Sequence, residues 1–241
     1  MVRTVRVARA PSEKALRCAG SFALAIRVVP GGAGRARVRV DTAALAALAR
    51  DVARCDAAIV LVHGASGAGK SLVLDRLARR LRGRGVGVVH AKEPSPALFR
   101  CAAIDAVPGG MMLSRRLLIA AGLGDAMSYL RAMGELSVGQ RHRALIARAV
   151  GCALRRGGGV VFIDEFCSGL DSMTARSLCD GVAACVREAL ALGSRVCVVV
   201  ASSDERVREW LDGDIACGCV WLGTAGVALD VRIRGEQRAA A

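Results

Sequence analysis

The stretch that decides the fold is G-A-S-G-A-G-K-S, at residues 64–71. It matches the template G-x-x-x-x-G-K-[S/T] of phosphate-binding loops at every specified position. The preceding residues 57–63, A-A-I-V-L-V-H, predict a buried parallel strand, and residues 71–81 carry leucines at helical spacing. A strand before the loop and a helix after it are the context that this template requires. The weaker alternative is a chance glycine-rich turn.

The loop residues have separate predicted roles. Glycines let the backbone curl with its N–H groups inward, and the following helix N-terminus adds partial positive charge. Lys70 is predicted to contact the β- and γ-phosphates, and the Ser71 hydroxyl to coordinate Mg²⁺. The motif therefore predicts that the chain binds the phosphates of a nucleotide together with Mg²⁺. The predicted nucleotide-binding residues of the loop are Gly64, Ala65, Ser66, Gly67, Ala68, Gly69, Lys70 and Ser71.

Length and composition bound what surrounds this loop. The chain has 241 residues, of which 54% are hydrophobic and 3% aromatic, so we expect one domain over residues 1–241 with a core of Ala, Val and Leu. No uncharged apolar run approaches the ~20 residues that span a bilayer, so we expect no direct membrane insertion. The ten cysteines lack paired C-x-x-C spacing, which favours free thiols in a reducing, cytoplasmic compartment.

The net charge of +14 raises the question of a nucleic-acid partner, because basic surface attracts phosphate backbones. Only Lys14, Lys70 and Lys92 are lysines, so nearly all of the positive charge comes from arginine. Together with the excess of Ala and Gly, this indicates the coding bias of a GC-rich genome. Nucleic-acid binding therefore stays open but is not favoured.

The segments around the loop predict further elements. Strand-like runs at residues 21–29 and 35–40 predict a hairpin, so residues 1–41 are interpreted as a β arm. Residues 42–55 predict a helix, residues 85–90 a short strand, and residues 111–156 an inserted helical region. Later helix and strand patterns are at residues 172–192, 195–201, 220–223 and 227–233.

A second motif, L-S-V-G-Q at residues 136–140, precedes the basic segment R-H-R-A-L-I-A-R-A. These residues resemble the signature of the ATP-binding-cassette (ABC) ATPases, L-S-G-G-Q followed by a basic helix; only Val138 departs from it. The resemblance implies that Ser137, Gly139 and Gln140 lie at a helix N-terminus and face the γ-phosphate bound by the opposite subunit. The alternative is that Ser137 only caps the helix.

The third motif, V-V-F-I-D-E at residues 160–165, is an apolar strand that ends in two carboxylates. The carboxyl end of such a strand is where an open α/β sheet places its ligand chemistry. By the resemblance, Asp164 holds Mg²⁺ and Glu165 is the general base that polarises the attacking water. The turn F-C-S-G-L-D at residues 166–171 also fits the family, in which Asp171 would help connect the two sites of a dimer.

Two further features depart from the ABC pattern. Most family members carry a His after the strand at residues 195–201, where this chain has Ser203. Ser203 is the candidate for the γ-phosphate contact, and because it carries no switchable charge we expect slower turnover or a substitute group. Residues 71–135 also contain no Gln for the usual metal contact, which leaves Glu93 or Asp105 as candidates.

The resemblance covers residues 57–204. It implies an α/β fold: a P-loop NTPase core sheet of the ABC/RecA-like kind, with an N-terminal antiparallel β arm and an inserted helical subdomain. It also implies ATP hydrolysis in a nucleotide-sandwiched homodimer that drives or regulates a protein partner. The alternatives are the ATP-binding subunit of an ABC transporter and a nucleotide-dependent nucleic-acid-binding protein. A narrower likeness, to soluble ABC-type ATPases associated with acetyltransferase domains, rests on four segments: A-G-L-G-D at 121–125, S-Y-L-R at 128–131, E-L-S at 135–137 and D-E-F-C at 164–167.

Overall fold

A computed structural model describes residues 42–92 and 95–211, together with the backbone of four strands outside those ranges. The chain divides into two compact units, Met1–Arg39 and Val40–Ala241. The single-domain organisation predicted from the sequence stays a prediction.

The smaller unit contains the strands β1 (Arg3–Val7) and β2 (Leu24–Val28), which pair in parallel. The β arm was predicted to be antiparallel, and for these two strands that prediction is wrong. The chain between them is long enough for the crossover that parallel strands need, whereas a tight hairpin would have forced the antiparallel direction. The predicted second hairpin strand, residues 35–40, lies outside the described residues.

The larger unit is built on a six-stranded sheet with the order β4-β5-β6-β3-β7-β8. Its neighbouring strands are parallel, except for the antiparallel pair β7 and β8. The strands are β3 (Ala57–Gly64), β4 (Val88–His90), β5 (Gly158–Ile163), β6 (Arg195–Ser202), β7 (Ala216–Leu222) and β8 (Arg232–Ile233). This arrangement confirms the predicted α/β fold with a parallel core sheet.

Helices connect the strands. The helices in the described part of the larger unit are α1 (Thr42–Arg54), α2 (Lys70–Arg82), α3 (Pro96–Phe99), α4 (Ala103–Ala106), α5 (Met111–Ala120), α6 (Ala126–Leu130), α7 (Val138–Arg155), α8 (Ser172–Ala191) and α9 (Arg206–Trp210), with a 3₁₀ turn at Met133–Glu135. None of the described helices is both long enough and apolar enough to cross a bilayer.

Strand β3, which leads into the phosphate-loop motif, lies between β6 and β7. Its residues from Ala58 onward are buried, as its uncharged β-branched sequence predicts. On one face of the sheet, Ile59 and Leu61 join a buried cluster with side chains of β5, β6, α7 and α8. On the other side, α2 packs against β3 and β6, and α1 packs against α2. Each fully buried Leu or Ile contributes roughly 1.5–3 kcal/mol, so the central strand is firmly held.

One helix contact depends on a glycine. Helices α5 and α8 pack together, and a Cβ atom added at Gly181 in α8 would overlap the carbonyl oxygen of Ala120 in α5. Gly181 is not in the left-handed region, so the close approach, and not the backbone conformation, is what requires glycine here. The two helix backbones therefore meet without a side chain between them.

The cysteines of the described residues are free thiols. Cys167 and Cys179 are buried, with their sulfur atoms 3.9 Å apart. Burial raises the pKa of Cys185 to about 11 and that of Cys197 to about 12, so both stay protonated near neutral pH. These side chains behave as small apolar groups, in agreement with the sequence-based expectation of free thiols.

Candidate nucleotide site

The loop between β3 and α2 has the backbone that an anion cradle needs. Gly67 has φ 77° and Gly69 has φ 98°, both in the left-handed region that favours glycine. Gly69 is the N-cap of α2, so Lys70 and Ser71 form the first turn of that helix. The Lys70 ammonium donates to the carbonyl oxygens of Gly64, at 2.8 Å, and Ala65, at 3.0 Å. The positive charge therefore lies inside the loop, where phosphate would bind.

The register of three adjacent strands brings the other predicted groups to the same edge of the sheet. Ile163 at the end of β5 pairs with Val200 of β6, which pairs with Leu61 of β3. Asp164 follows directly after Ile163, and Ser203 follows directly after β6. Because neighbouring strands lie ~4.8 Å apart, the ends of β5 and β3 are separated by roughly 10 Å. The loop, the carboxylate pair and Ser203 thus share the carboxyl edge of the sheet.

The backbone is unusual at the carboxylate pair. Glu165 has φ 52° and Cys167 has φ 63°, left-handed values that cost a non-glycine residue of order 1–3 kcal/mol each. Between them Phe166 is fully buried, and its N–H donates to the carbonyl of Ala201 at 2.8 Å. The Asp164 carboxylate accepts from the Glu165 N–H at 3.0 Å. The anchored Phe166 holds this turn and leaves Glu165 exposed at the sheet edge.

The signature-like motif forms the start of α7. The Ser137 hydroxyl accepts from the Gln140 N–H at 3.2 Å, and the Gln140 side-chain oxygen accepts from the Ser137 N–H at 3.1 Å. This reciprocal capping box confirms the helix start that the sequence predicts. Helix geometry leaves the N–H groups of Val138 and Gly139 without an intrahelical acceptor, so they are available to an anion.

Asp171 caps the next long helix. Its carboxylate accepts from the N–H groups of Met173, at 3.1 Å, and Thr174, at 3.0 Å, and from the Thr174 hydroxyl at 2.6 Å. The hydrogen bond from Thr174 holds the pKa of Asp171 below its ordinary value, so the carboxylate stays ionised. A Cβ atom at Gly139 would lie 3.8 Å from the side chain of Leu170, so the motif at the start of α7 adjoins this turn.

The predicted site residues thus fall into two groups. One group, at the sheet edge, contains the loop residues 64–71, Asp164, Glu165 and Ser203. The other, at the starts of α7 and α8, contains Ser137, Gly139, Gln140 and Asp171. Of the two residues considered for a further metal contact, Asp105 is exposed in the short helix α4 and Glu93 lies outside the described residues.

The sequence-based reasoning missed His63, which precedes the loop at the end of β3. Only 5% of its surface is exposed, and in the sheet it lies beside Ser202 of β6. Burial lowers the pKa of His63; Glu205 opposes that shift and Lys70 adds to it. A polar residue at the end of an otherwise apolar strand was the signal that the sequence offered.

Arg206 was missed as well. It begins α9, and its guanidinium bonds both Asp204 and Ser172. Asp204 and Ser172 adjoin two predicted site residues, Ser203 and Asp171. No spacing rule connects Arg206 with Ser172, which lies far from it in the chain, so the sequence carried no signal for that contact.

The donor set fits magnesium. Ser71 and Asp164 offer hard oxygen atoms, which Mg²⁺ prefers. Within residues 42–92 and 95–211, no group of three or more His, Cys, Asp or Glu side chains is arranged to enclose a metal ion. Magnesium usually binds through one or two protein oxygens together with substrate phosphates and water, and Ser71 and Asp164 could supply those oxygens.

Solved structures share this fold. The ATP-binding cassette MJ0796, in a dimeric post-hydrolysis state bound to ADP and Pi, is 17% identical, with a TM-score of 0.52 over 75% of this chain and 87% of that one. Another dimeric structure of MJ0796, a bacterial ABC transporter cassette, is 18% identical, with a TM-score of 0.52 over 76% and 88%. At this level of identity, the likeness establishes that the larger unit has the fold of an ATP-binding cassette.

Sequence comparison defines the family. No curated protein matches the chain significantly. The AAA ATPase domain family matches residues 34–201, which include the loop, the motif at the start of α7 and the carboxylate pair. Since this match covers more than half of the chain, the protein belongs to the AAA ATPase domain family and is an ATP-binding enzyme that hydrolyses ATP.

Proposed function

We propose that this ATPase binds ATP with Mg²⁺ at residues 64–71, and that Glu165 is the general base for hydrolysis. The observation that carries the proposal is the order of β5, β6 and β3, because it gathers the loop, the carboxylate pair and Ser203 at one sheet edge. Ligand chemistry in open α/β sheets occurs at this edge.

The binding step begins at Lys70. Its ammonium already lies inside the loop on the carbonyls of Gly64 and Ala65. The β- and γ-phosphates take over these interactions, while the inward N–H groups of the loop and the α2 N-terminus hold the phosphate oxygens. Ser71 and Asp164 are the residues that would hold Mg²⁺. When bound, Mg²⁺ supplies positive charge that stabilises the phosphate oxygens as negative charge develops.

The chemical step needs a proton acceptor beside the attacking water. The Glu165 carboxylate takes a proton from that water, the water oxygen attacks the γ-phosphorus, and the bond to the β–γ bridging oxygen breaks to give ADP and phosphate. Ser203 donates one hydrogen bond to the γ-phosphate. Because a serine has no cationic form, it stabilises the developing charge less than a histidine would, and turnover is expected to be slow.

The functional unit in this proposal is a homodimer. Helices α2 and α7 both present N-termini that favour an anion, and the start of α7 is exposed. Ser137, Gly139 and Gln140 of one subunit close over the nucleotide bound by the other, with Asp171 beside them. Two-fold symmetry then gives two equivalent sites. The dimeric state of MJ0796 supports this arrangement.

The finer assignment, within the proposed function, is to the soluble ABC-type ATPases associated with acetyltransferase domains, with hydrolysis driving or regulating a protein partner. The segments at residues 121–125 and 164–167 support it.

The free thiols of the described residues support a reducing compartment, since Cys167 and Cys179 lie 3.9 Å apart and are not bonded.

The first prediction tests the base. Glu165→Gln keeps the shape of the side chain but cannot accept a proton, so we expect unchanged ATP binding and a loss of turnover of roughly 10²–10⁴-fold. Phosphate release and nucleotide affinity are the two measurements. The matched control is Glu209→Gln, which neutralises an exposed carboxylate in the short helix α9 and should hydrolyse ATP like the wild type. Wild-type turnover in Glu165→Gln would refute the assignment.

The same variant tests the dimer. With hydrolysis blocked, ATP and Mg²⁺ should shift Glu165→Gln from monomer to dimer in sedimentation, because a ligand that binds the dimer better stabilises it by linkage. Adding Ser137→Arg places a bulky cation at the start of α7 and should abolish the shift while the monomer still binds ATP. A dimer that forms without nucleotide, or that tolerates Ser137→Arg, would exclude the sandwich.

A further inference from the structure

Arg206 joins the turn after β6 to the start of helix α8. We propose that Arg206 is a positioning residue that holds Ser203 and Asp171 in a fixed relation to each other. The inference deepens the proposed function and rests on it, since the proposed function is what assigns Ser203 and Asp171 to the nucleotide.

The contacts lie on three sides of the guanidinium. Its Nε and Nη2 donate to the two carboxylate oxygens of Asp204, at 3.0 and 2.7 Å. Its Nη1 donates to the hydroxyl of Ser172, the first residue of α8. Its carbon Cζ lies 5.4 Å from the centre of the Trp210 ring, within the range of a cation–π contact. The planar fork of arginine can make these contacts together, whereas a lysine ammonium cannot.

The partners of Arg206 enclose the predicted site residues. The Asp204 N–H donates to the Ser202 hydroxyl at 3.1 Å, so Ser203 lies in a short turn that this hydrogen bond closes. Ser172 follows Asp171, whose carboxylate caps α8. A shift of either segment therefore strains the bond to the other through Arg206.

This link contributes to position more than to stability. The side chain of Arg206 is 50% exposed, and exposed ion pairs contribute little to the free energy of unfolding. The hydrogen bond from Arg206 lowers the pKa of Asp204, so the pair stays charged near neutral pH. Arg206 lies outside the reaction itself, and its effect passes through the groups it holds.

The test uses steady-state kinetics with three substitutions at Arg206 and Ser172 and one control substitution elsewhere. Arg206→Ala and Ser172→Ala should each lower kcat about tenfold and leave KM within about twofold, because a small misplacement affects the reacting geometry more than substrate binding. The double variant should be no slower than either single variant. Ser172→Thr retains the hydroxyl and should restore kcat. The matched control is Arg195→Ala, which removes the exposed Arg195–Asp56 pair at the opposite end of β6 and should keep wild-type kcat.

Three results would overturn the proposal: wild-type kcat in Ser172→Ala, additive losses in the double variant, or an equal loss in Arg195→Ala. Amide hydrogen exchange separates this failure from failure of the proposed function. Even if the wild type did not turn over ATP through Glu165, Arg206→Ala should speed exchange at Met173 and Thr174, whose N–H groups Asp171 caps. Arg195→Ala should not, and unchanged exchange in Arg206→Ala would refute the link.

Discussion

Single residues at the carboxyl edge of the sheet differ in how far the sequence could predict them. Lys70 follows from the spacing of the phosphate-loop motif, whereas the roles predicted for Asp164 and Glu165 come from the resemblance to ABC ATPases. The left-handed backbone of Glu165 did not follow from it, since glutamate has no preference for that region. The buried Phe166 imposes the turn through tertiary packing, which a local pattern does not contain.

His63 gives the residue-scale prediction. Burial lowers its pKa in the folded protein below the value of ~6.5 in an unfolded chain. Between these two pKa values the unfolded chain binds more protons, so stability is intact above pH ~6.5 and is lost as the pH falls below it. Lys70 and Arg208 add to the shift, while Glu205 and Asp204 oppose it. Between pH ~7.5 and pH ~5.5, we expect the melting temperature of His63→Val to fall less than that of the wild type.

Thermal unfolding at a series of pH values makes this comparison. His90 retains its own lowered pKa in both proteins, again mainly from burial, so some acid sensitivity should remain in His63→Val. If the melting temperatures of the two proteins fell equally with pH across the series, His63 would not titrate as the structure indicates.

At the scale of elements, the helices and strands were predicted best where one pattern runs long. Helix α8 was predicted over residues 172–192 and covers Ser172–Ala191, because its N-cap Asp171 directly precedes the segment and the apolar spacing runs through it. The strand predicted at residues 85–90 is shorter, Val88–His90. The short helices α3 and α4 lie in a segment rich in proline and glycine, where no helical period could develop. Strand order and the parallel direction of β1 and β2 depend on long-range pairing, which the sequence pattern did not specify.

Gly181 gives the prediction at this scale. In a helix interior, alanine is more favourable than glycine by about 1 kcal/mol, so propensity alone would make Gly181→Ala stabilising. The added Cβ atom would instead overlap the Ala120 carbonyl oxygen and force α5 and α8 apart. We expect a net destabilisation of roughly 1–3 kcal/mol, which is typical of overpacking.

Denaturant unfolding measures this change, and its sign decides the outcome. A gain in stability would mean that α5 moves aside at no cost and that the contact between the two backbones is not required.

At the scale of the whole molecule, the +14 charge is the property most open to misreading. Arginines have local explanations in several elements. Arg79, Arg80 and Arg82 lie in the last turn of α2, where cations interact favourably with the helix dipole. Arg116 pairs with Glu188 on the surface. Positive charge placed in this way favours non-specific attraction of nucleic acid and does not form a surface that recognises a base sequence.

We therefore expect weak binding to duplex DNA that falls steeply with salt and has no sequence preference, because such binding comes from counterion release. Fluorescence anisotropy with several unrelated duplexes, at ionic strengths from ~0.05 to ~0.2 M, tests this expectation. Sequence-selective binding that persists at ~0.15 M salt would point instead to a dedicated nucleic-acid surface.

The contact between Gly181 and Ala120 also has a mechanical meaning. Side chains between two helices can change rotamer and so accommodate a small displacement of one helix. Here the two backbones meet directly, so no side chain between them can take up a movement of α5 before it reaches the backbone of α8. Helix α8 begins at Ser172, directly after its N-cap Asp171. A displacement of α5 would therefore be passed on to α8, whose first turn carries the Asp171 cap.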